Sequence, residues 1–329
     1  MKNYISRSKS KAILIALSFF AIYFIWGTTY LANIFGLKGM KPFVLSTLRY
    51  GMAAILLTVG CFIKKLPFPG WKNSKVYIIS GLLMLVGGSG LVVLGEQYIN
   101  SGHAAVVIAT EPLLFLLFDK KDRRSFLNDK WIIGGLLLGF SGILVFSHFS
   151  SQGQAHLTHP GDVLKGTILV LTSTLFWVAG TLYARNYKTE EDSHIAGAAV
   201  KHIAAAVACF VIAIFSGEWS SFTPGNVSAN AWGGLAFLVV MGSLIAFMAF
   251  TWLVTVKPAA IVSTHTYVNP LVAVLIGWIM AKEQVGTMQI LALIMVLAGV
   301  ALTNIKAKDH AAPVGSTPSG AGRETTSLL

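Results

Sequence analysis

Residues 103–114 read HAAVVIATEPLL and residues 261–272 read IVSTHTYVNPLV, and these two stretches decide the fold. Each places a polar residue directly before a proline, Glu111-Pro112 and Asn269-Pro270, inside a long apolar run. The two prolines are 158 positions apart, which is close to half of the 329-residue chain. The matching stretches therefore predict two halves that contribute equivalent helices to one site.

A proline inside a helix frees the carbonyl four residues earlier, here the carbonyls of Ile108 and Thr266. In hydrocarbon, such groups are tolerated only where neighbouring helices, side chains or water satisfy them. A carboxyl such as that of Glu111 costs about 2.5–3.5 kcal/mol at the bilayer centre, unless it faces the protein interior or a cavity. The two stretches thus predict a polar site inside an apolar helix bundle.

The composition is that of a polytopic membrane protein. Hydrophobic residues make up 55% of the chain and charged residues 12%, whereas soluble domains are about 25% charged. The net charge is +12, but most Lys and Arg lie in short loops between apolar runs, which reports topology rather than nucleic-acid binding. Cys61 and Cys209 lie in apolar runs and are predicted to be small core side chains.

Ten mainly apolar runs of about 17–25 residues predict ten transmembrane helices. They cover residues 11–33, 42–63, 74–95, 101–118, 131–149, 163–184, 195–215, 231–254, 258–280 and 287–306. The first run continues past Trp26 without a small-residue cleavage site, which predicts a retained helix rather than a signal peptide. The Gly-, Ser- and Pro-containing segment 307–329 is predicted to be a disordered cytoplasmic tail.

The loop charges predict the orientation. One side of the predicted bundle carries 19 of the 25 Lys and Arg residues, and the other side carries Lys38, Lys41, Lys165 and Lys282. Because positive residues gather in cytoplasmic loops, both termini are predicted to lie in the cytoplasm, with the protein in the cell (inner) membrane. The histidines near the outer loop, His148, His156 and His159, have a spacing that fits no rigid metal site.

Further landmarks recur in the same order in both halves. Trp26-Gly27-Thr28-Thr29-Tyr30 in the first span corresponds to the segment from Trp177 to Tyr183 in the sixth. Arg49 and Lys201 follow these tryptophans by 23 and 24 residues. Because each half has five spans, the second half must enter the membrane from the opposite side, which gives a 5+5 inverted-topology repeat. The predicted repeats are residues 11–149 and 163–306.

The chain resembles the drug/metabolite transporter superfamily, in the branch built from two EamA-type repeats. The resemblance covers residues 11–306 and rests on the ten spans, Trp26-Gly27, Pro112, Pro270 and the glycine-rich spans 5 and 10. Glu283 follows the family's habit of an acidic residue after the repeat proline, whereas the first half runs through Asp119 into a more charged loop. The resemblance implies a carrier of small metabolites, often amino acids or their derivatives and often exported.

Intramembrane charges are the first candidates for a site. Glu111 is predicted to bind a cationic group or to exchange a proton; alternatively it is a neutral or paired carboxyl that bonds a freed carbonyl. Asn269, in the matching position, cannot titrate. Arg49 and Lys201 would lie at mirrored depths and hold an anionic group alternately from each side, unless they are structural residues that extend towards the interface.

Aromatic and polar side chains complete the predicted substrate-binding cavity. Trp26, Tyr30, Trp177 and Tyr183 lie on spans 1 and 6, where they would form cavity walls or pack. His265 and Asn269 share one helix face and, with Tyr267, predict a polar stripe. Pro112 and Pro270 are predicted helix kinks.

Motifs of catalysis, nucleotide binding and metal binding are absent from the sequence, so we predict neither an enzyme nor a cofactor. Together these features predict a secondary transporter that moves a small metabolite by alternating access, with a coupling proton as an option. One alternative is a membrane enzyme that uses Glu111 and His265 as acid and base, although no nucleophile is visible. Another is a receptor or scaffold, which would more naturally carry a soluble signalling domain.

Overall fold

The computed structural model describes residues 2–99, 104, 107–120, 124, 127–150, 160–187, 193–281 and 286–310. Within these residues every regular element is helical. The helices of the first half are α1 (Lys2–Leu37), α2 (Pro42–Ile63), α3 (Trp71–Gly95), α4 (Glu111–Phe118) and α5 (Lys130–Ser150). Those of the second half are α6 (Pro160–Asn186), α7 (His194–Phe215), α8 (Ala229–Val256), α9 (His265–Ala281) and α10 (Thr287–His310).

Two of these helices contain wider turns at corresponding places. Residues Leu82–Gly90 of α3 and Leu238–Ala246 of α8 are π-helical. Such segments are uncommon in helices and often mark functional sites. Two shorter elements also occur, a 3-10 turn at Pro224–Asn226 and a one-turn helix at Ala259–Val262 directly before α9.

Most of the longer described helices have the length and apolar character of membrane spans. Six are long and apolar enough to cross a bilayer: Ser10–Leu37, Pro42–Ile63, Trp71–Gly95, Val163–Asn186, His194–Phe215 and Ala229–Val256. The apolar parts of α5 and α10 are shorter, Lys130–Val145 and Thr287–Thr303. Large apolar side chains such as Phe62 and Phe215 are mostly exposed, as expected for surfaces that face lipid. The prediction of an all-helical membrane protein is confirmed, while the count of ten crossings stays a prediction.

The fourth and ninth predicted spans are interrupted before their prolines rather than at them. A turn at Ala109–Thr110 precedes α4, so Pro112 is the second residue of a helix, where its missing N–H costs nothing. A turn at Ser263–Thr264 precedes α9, and Pro270 lies inside that helix. Thr110 Oγ1 donates to Val107 O (2.7 Å), and Thr264 Oγ1 donates to Ile261 O (2.7 Å). These hydroxyl bonds partly satisfy carbonyls that the interruptions expose.

Two predicted segments extend beyond the described residues. The tail was predicted to begin at residue 307, but α10 continues to His310, and residues 311–329 lie outside the described part. His148 is exposed near the end of α5, whereas His156, His159 and Glu283 lie outside the described residues.

The helices pack in pairs that join the two halves. α2 packs on α7, and α5 packs on α10. α1 packs on α8 and α9, while α6 packs on α3 and α4. Each contact of α1 with the second half is therefore matched by a contact of α6 with the first half. The largest core cluster lies where α1, α2, α3, α7 and α8 meet.

Glycines bring α5 and α10 into close contact. A Cβ on Gly299 would lie 2.5 Å from both Gly135 O and Gly139 N, and a Cβ on Gly135 would lie 2.4 Å from Thr303 Oγ1. Gly135 and Gly139 are four residues apart, the spacing at which small residues let membrane helices approach. The glycine-rich runs of spans 5 and 10 therefore form a packing surface.

Candidate functional site

A cavity of about 130 Å³ lies between the two halves. This is far more than the ~10–15 Å³ that one water molecule requires. The side chains and backbone that line it come from α1, α2, α3, α4, α6, α8 and α9 and from Ile108, which precedes the turn before α4. They are Trp26, Thr29, Asn33, Arg49, Leu85, Gly88, Ser89, Val92, Ile108, Glu111, Ser173, Thr174, Trp177, Gly242, Ser243, Phe247, His265, Thr266 and Asn269.

Glu111 is the acidic residue of this lining. It is the first residue of α4, where the positive end of the helix dipole favours a carboxylate. Its side chain is 4% exposed, and its Oε1 atom has no hydrogen-bond partner among the described residues. A buried polar atom without a partner is costly. The geometry therefore leaves an acceptor for a ligand or a site for a proton on the cavity wall.

Asn269, the counterpart of Glu111, lines the same cavity but is already engaged. With its amide nitrogen placed towards backbone oxygens, it donates to His265 O (2.9 Å), Tyr23 O (3.0 Å) and Ile22 O (3.2 Å). The orientation of the amide is assigned from these contacts. Asn269 thus ties α9 to α1. The two matching positions therefore differ in charge, and they differ in hydrogen bonding, because Glu111 has an oxygen without a partner among the described residues whereas the Asn269 amide is bonded to backbone.

Arg49 supplies the positive charge of the lining. Its Nε donates to Ser243 Oγ (2.9 Å) in the π-helical segment of α8, and its guanidinium lies 5.5 Å from the ring centroid of Tyr50. A guanidinium has five N–H donors in a planar fork. The bond to Ser243 uses one of these donors, so the fork retains capacity for a carboxylate.

Two tryptophans of the cavity lining contact each other edge to face. The rings of Trp26 and Trp177 lie 5.5 Å apart at 79°. Trp26 Nε1 donates to Gly242 O (3.3 Å), whereas Trp177 Nε1 has no partner among the described residues. Phe250 and His265 lie 5.2 Å and 4.8 Å from the Trp26 ring and complete an aromatic cluster.

The other predicted site residues lie elsewhere. Tyr267 is fully buried away from the cavity: its hydroxyl donates to Leu136 O (3.2 Å), and its ring fills the space beside Gly139. Tyr183 is not part of the cavity lining and packs against Tyr187 with tilted rings whose centroids are 4.8 Å apart. The side chain of Tyr30 lies outside the described part of the structure.

Lys201 lines a second, smaller cavity of about 60 Å³. Its side chain is 5% exposed, and its Nζ lies 5.7 Å from the ring centroid of Phe247. Phe247 also lines the central cavity. Arg49 and Lys201 therefore do not share one cavity in this conformation, although a single aromatic side chain contacts both regions.

Both residues whose carbonyls were expected to be freed by the prolines, Ile108 and Thr266, line the central cavity. Several other lining residues were not predicted. Ser89 and Ser243 follow glycines in the two π-helical segments, and this repeated Gly-Ser pair at matching places was the available signal. Ser173, Thr174 and Thr29 gave no signal, because small hydroxyl residues are common in membrane helices.

A polar cavity between the helices of an all-helical membrane protein is typical of membrane proteins that bind solutes. The sequence model of the EamA-like transporter family matches the chain twice, at residues 13–148 and 164–305. The chain therefore belongs to the EamA-like transporter family, as the sequence resemblance predicted, and it is an integral membrane transporter.

Relatives and a solved structure agree with this assignment. The inner membrane transporter YedA of Escherichia coli K12 is 30% identical over 301 residues, which are 90% of this chain and 94% of YedA. The transporter YoaV of Bacillus subtilis 168 is 24% identical over 291 residues, covering 87% of this chain and 95% of YoaV. A solved crystal structure matches with a TM-score of 0.70 at 16% identity, over 91% of this chain and 99% of that chain. That likeness supports the fold alone.

Proposed function

We propose that the protein is a secondary transporter that moves a small metabolite, an amino acid or related organic solute, out of the cell across the inner membrane by alternating access. The observation that carries this proposal is the Glu111 carboxyl, buried on the wall of a cavity between the two halves with one oxygen unpartnered. An intramembrane carboxyl is costly and marks a functional site by default.

The ten-span inverted repeat belongs to the same proposal. The family matches the chain twice, once in each half. If each helix is replaced by its counterpart in the other half, α1 by α6, α3 by α8 and α4 by α9, the same packing pairs result. The contacts of α1 with α8 and α9 then become the contacts of α6 with α3 and α4. The charge bias of the loops supports cytoplasmic termini. In such proteins the substrate lies near the bilayer midplane at the interface of the repeats, which is where the central cavity would lie.

The lining offers complementary charges for a zwitterion. A carboxylate can accept hydrogen bonds from the free guanidinium donors of Arg49, and an ammonium can donate to the open oxygen of Glu111. The unpartnered Trp177 N–H supplies a further donor. Alternatively, Glu111 takes up a proton during the cycle, and the solute meets only its neutral form.

The conformation fits a state open towards the outer side. Asn33 and Val92, which line the cavity, lie near the ends of α1 and α3 that are predicted to face outward. Towards the predicted cytoplasmic ends lie the aromatic cluster around Trp177 and the ion pair between Asp119 and Arg185. Alternating access would require both to separate.

Flux measurements test the proposal. Amino acids, organic acids and nucleosides are first screened for their effect on the unfolding temperature of the purified protein, and each hit is then offered as a labelled solute to proteoliposomes. We expect saturable flux without ATP. Binding of a solute with no flux, in exchange or under a pH gradient, would overturn the proposal in favour of a receptor.

The same assay distinguishes the two possible roles of Glu111, proton exchange and binding of an ammonium group. If it exchanges a proton, Glu111→Gln abolishes accumulation driven by a pH gradient but keeps solute exchange. If it binds an ammonium, exchange is lost as well.

A further inference from the structure

The smaller cavity lies on the predicted cytoplasmic side of the aromatic cluster and is not used by the binding mode described above. It is lined by α3, α6, α7 and α8 through Tyr77, Met84, Thr181, Ala184, Arg185, His194, Gly197, Ala198, Lys201, Thr251, Val254 and Thr255. Among the described residues, the lining contains cationic and hydroxyl side chains but no carboxylate. The first turn of α7 forms part of one wall, so the positive end of that helix dipole lies beside the cavity.

Lys201 gives this cavity a buried positive charge that has no acidic partner in the part of the chain that the structure describes. Its ammonium lies 6.0 Å from the ring centroid of Tyr77 and 5.7 Å from that of Phe247. The ion pair found among the described residues joins Asp119 to Arg185 and does not include Lys201. A buried charge is costly unless it is paired. The aromatic faces attract the cation but cannot neutralise it.

Thr181 adds an unused hydroxyl to the same cavity. It is 1% exposed, and its Oγ1 has no hydrogen-bond partner among the described residues. The hydroxyls of Thr251 and Thr255 differ, because they donate to Met248 O (3.1 Å) and Trp252 O (2.7 Å). Thr181 can therefore donate to a ligand without giving up a bond.

The position of this cavity mirrors part of the central one. Lys201 corresponds to Arg49, and Ala184 follows Trp177 by seven residues as Asn33 follows Trp26. Arg49 and Asn33 line the central cavity, whereas Lys201 and Ala184 line the smaller one. The cations differ in one respect: Arg49 bonds to Ser243, but Lys201 has no hydroxyl or carboxylate partner among the described residues.

We propose that the cavity around Lys201 is an anion site that receives a carboxylate or phosphate group from the cytoplasmic side. The Lys201 ammonium pairs with the anion, and the Thr181 hydroxyl donates to it. The cytoplasmic location rests on the proposed topology, and the anion is the acidic group of an exported solute if the proposed function holds. Anion binding itself does not depend on transport.

Thermal unfolding of the purified full-length protein tests the site. Sodium acetate and sodium phosphate are titrated against sodium chloride of equal ionic strength, which controls for the general effect of salt. For the wild type we expect a rise on the order of 2–4 °C at saturation. Lys201→Met should abolish the rise, and Thr181→Val, which retains the side-chain shape, should reduce it.

Lys165→Met is the matched control, since Lys165 also lies over a ring, 4.2 Å from the centroid of Tyr98, but on the predicted outer side. It should keep the full anion-dependent rise. An undiminished rise in both Lys201→Met and Thr181→Val would overturn the proposal. If Lys201→Met does not fold, the anion-dependent rise of Thr181→Val alone tests the proposal. Thr181→Val is expected to fold, because removing the Thr181 hydroxyl breaks no hydrogen bond among the described residues.

A competition experiment identifies the source of the anion and separates this proposal from the transport proposal. A transported acidic solute that competes with acetate in the wild type, but not in Lys201→Met, supports an anionic group of the solute at this site. A solute that is transported but does not compete with acetate indicates that the site binds a free anion rather than a group of the solute. An anion-dependent rise with no flux of any solute would refute the transport proposal while leaving the anion site intact.

Discussion

Trp26 and Trp177 occupy corresponding positions in the two halves and meet edge to face, with ring centroids 5.5 Å apart. Their indole N–H groups are used differently, since Trp26 bonds to Gly242 O and Trp177 has no partner among the described residues. The same difference separates Asn269, which is engaged, from Glu111, which has an open oxygen. In each of these two matched pairs, therefore, one residue has a polar atom without a partner among the described residues, and its counterpart is hydrogen-bonded.

Trp177→Phe is expected to raise KM for the transported solute by up to about tenfold, the worth of one lost hydrogen bond. Its unfolding temperature should fall less than that of Trp26→Phe, because both variants lose ring contacts but Trp177→Phe breaks no hydrogen bond among the described residues. Trp26→Phe is the matched comparison and should lower the unfolding temperature with a smaller change in KM. Equal effects of the two variants on KM would contradict the account in which the Trp177 N–H binds the solute and the Trp26 N–H does not.

Gly299→Ala is expected to destabilise the protein by about 1–3 kcal/mol through overpacking. The added methyl would lie 2.5 Å from backbone atoms of Gly135 and Gly139, so α5 and α10 would have to separate. Gly134→Ala is the control, because its Cβ would meet nothing within 4 Å. The measurement is thermal unfolding in detergent, and similar unfolding temperatures for the two variants would contradict the packing account.

Several of these features could be predicted from the sequence because lipid penalises polar groups strongly. The side chains of Glu111, Arg49 and Asn269 would be costly to expose to lipid, and in the structure all three line one cavity. His265 shares the face of Asn269 through the four-residue helical spacing. Apolar composition and the length of the apolar runs were sufficient to predict an all-helical membrane protein.

Other features depend on contacts that the sequence does not contain. Tyr267 lies two residues from Asn269, on another face of the helix, and packs into a space that Gly139 leaves on α5. Lys201 was predicted to share a site with Arg49, but the aromatic residues between the two cavities separate them in this conformation. Hydroxyl bonds of Thr110 and Thr264 accompany the helix interruptions before Pro112 and Pro270, and apolar patterning does not reveal them.

Glu218→Ala is expected to destabilise the protein by about 0.5–2 kcal/mol. Glu218 Oε2 accepts hydrogen bonds from Phe43 N (2.7 Å) and Val44 N (3.2 Å) and so caps the start of α2 from the other half of the chain. Thermal unfolding should place Glu218→Gln between the wild type and the alanine variant, since the amide oxygen still accepts. An unfolding temperature for Glu218→Ala equal to that of the wild type would show that the cap contributes nothing.

Glu96, which follows α3 outside its membrane-spanning part, makes stability depend on pH. Burial raises the pKa of this carboxyl to about 7, so folding favours its protonated form. The stabilisation is complete below the ordinary pKa of 4.5 and is lost as pH rises through about 7. Glu96→Gln should remove this contribution and unfold at a higher temperature than the wild type at pH 8. Parallel pH profiles of the two proteins would contradict this.

The flux of Glu111→Gln in proteoliposomes tests the central claim most directly. The solute found in the thermal-shift screen is offered under a pH gradient to the wild type, to Glu111→Gln and to Glu96→Gln, which loses a carboxyl outside the cavity. We predict that Glu111→Gln lowers gradient-driven flux about tenfold or more, with unchanged folding, while Glu96→Gln transports normally. Wild-type flux by correctly folded Glu111→Gln would contradict the assignment of this carboxyl to the transport site.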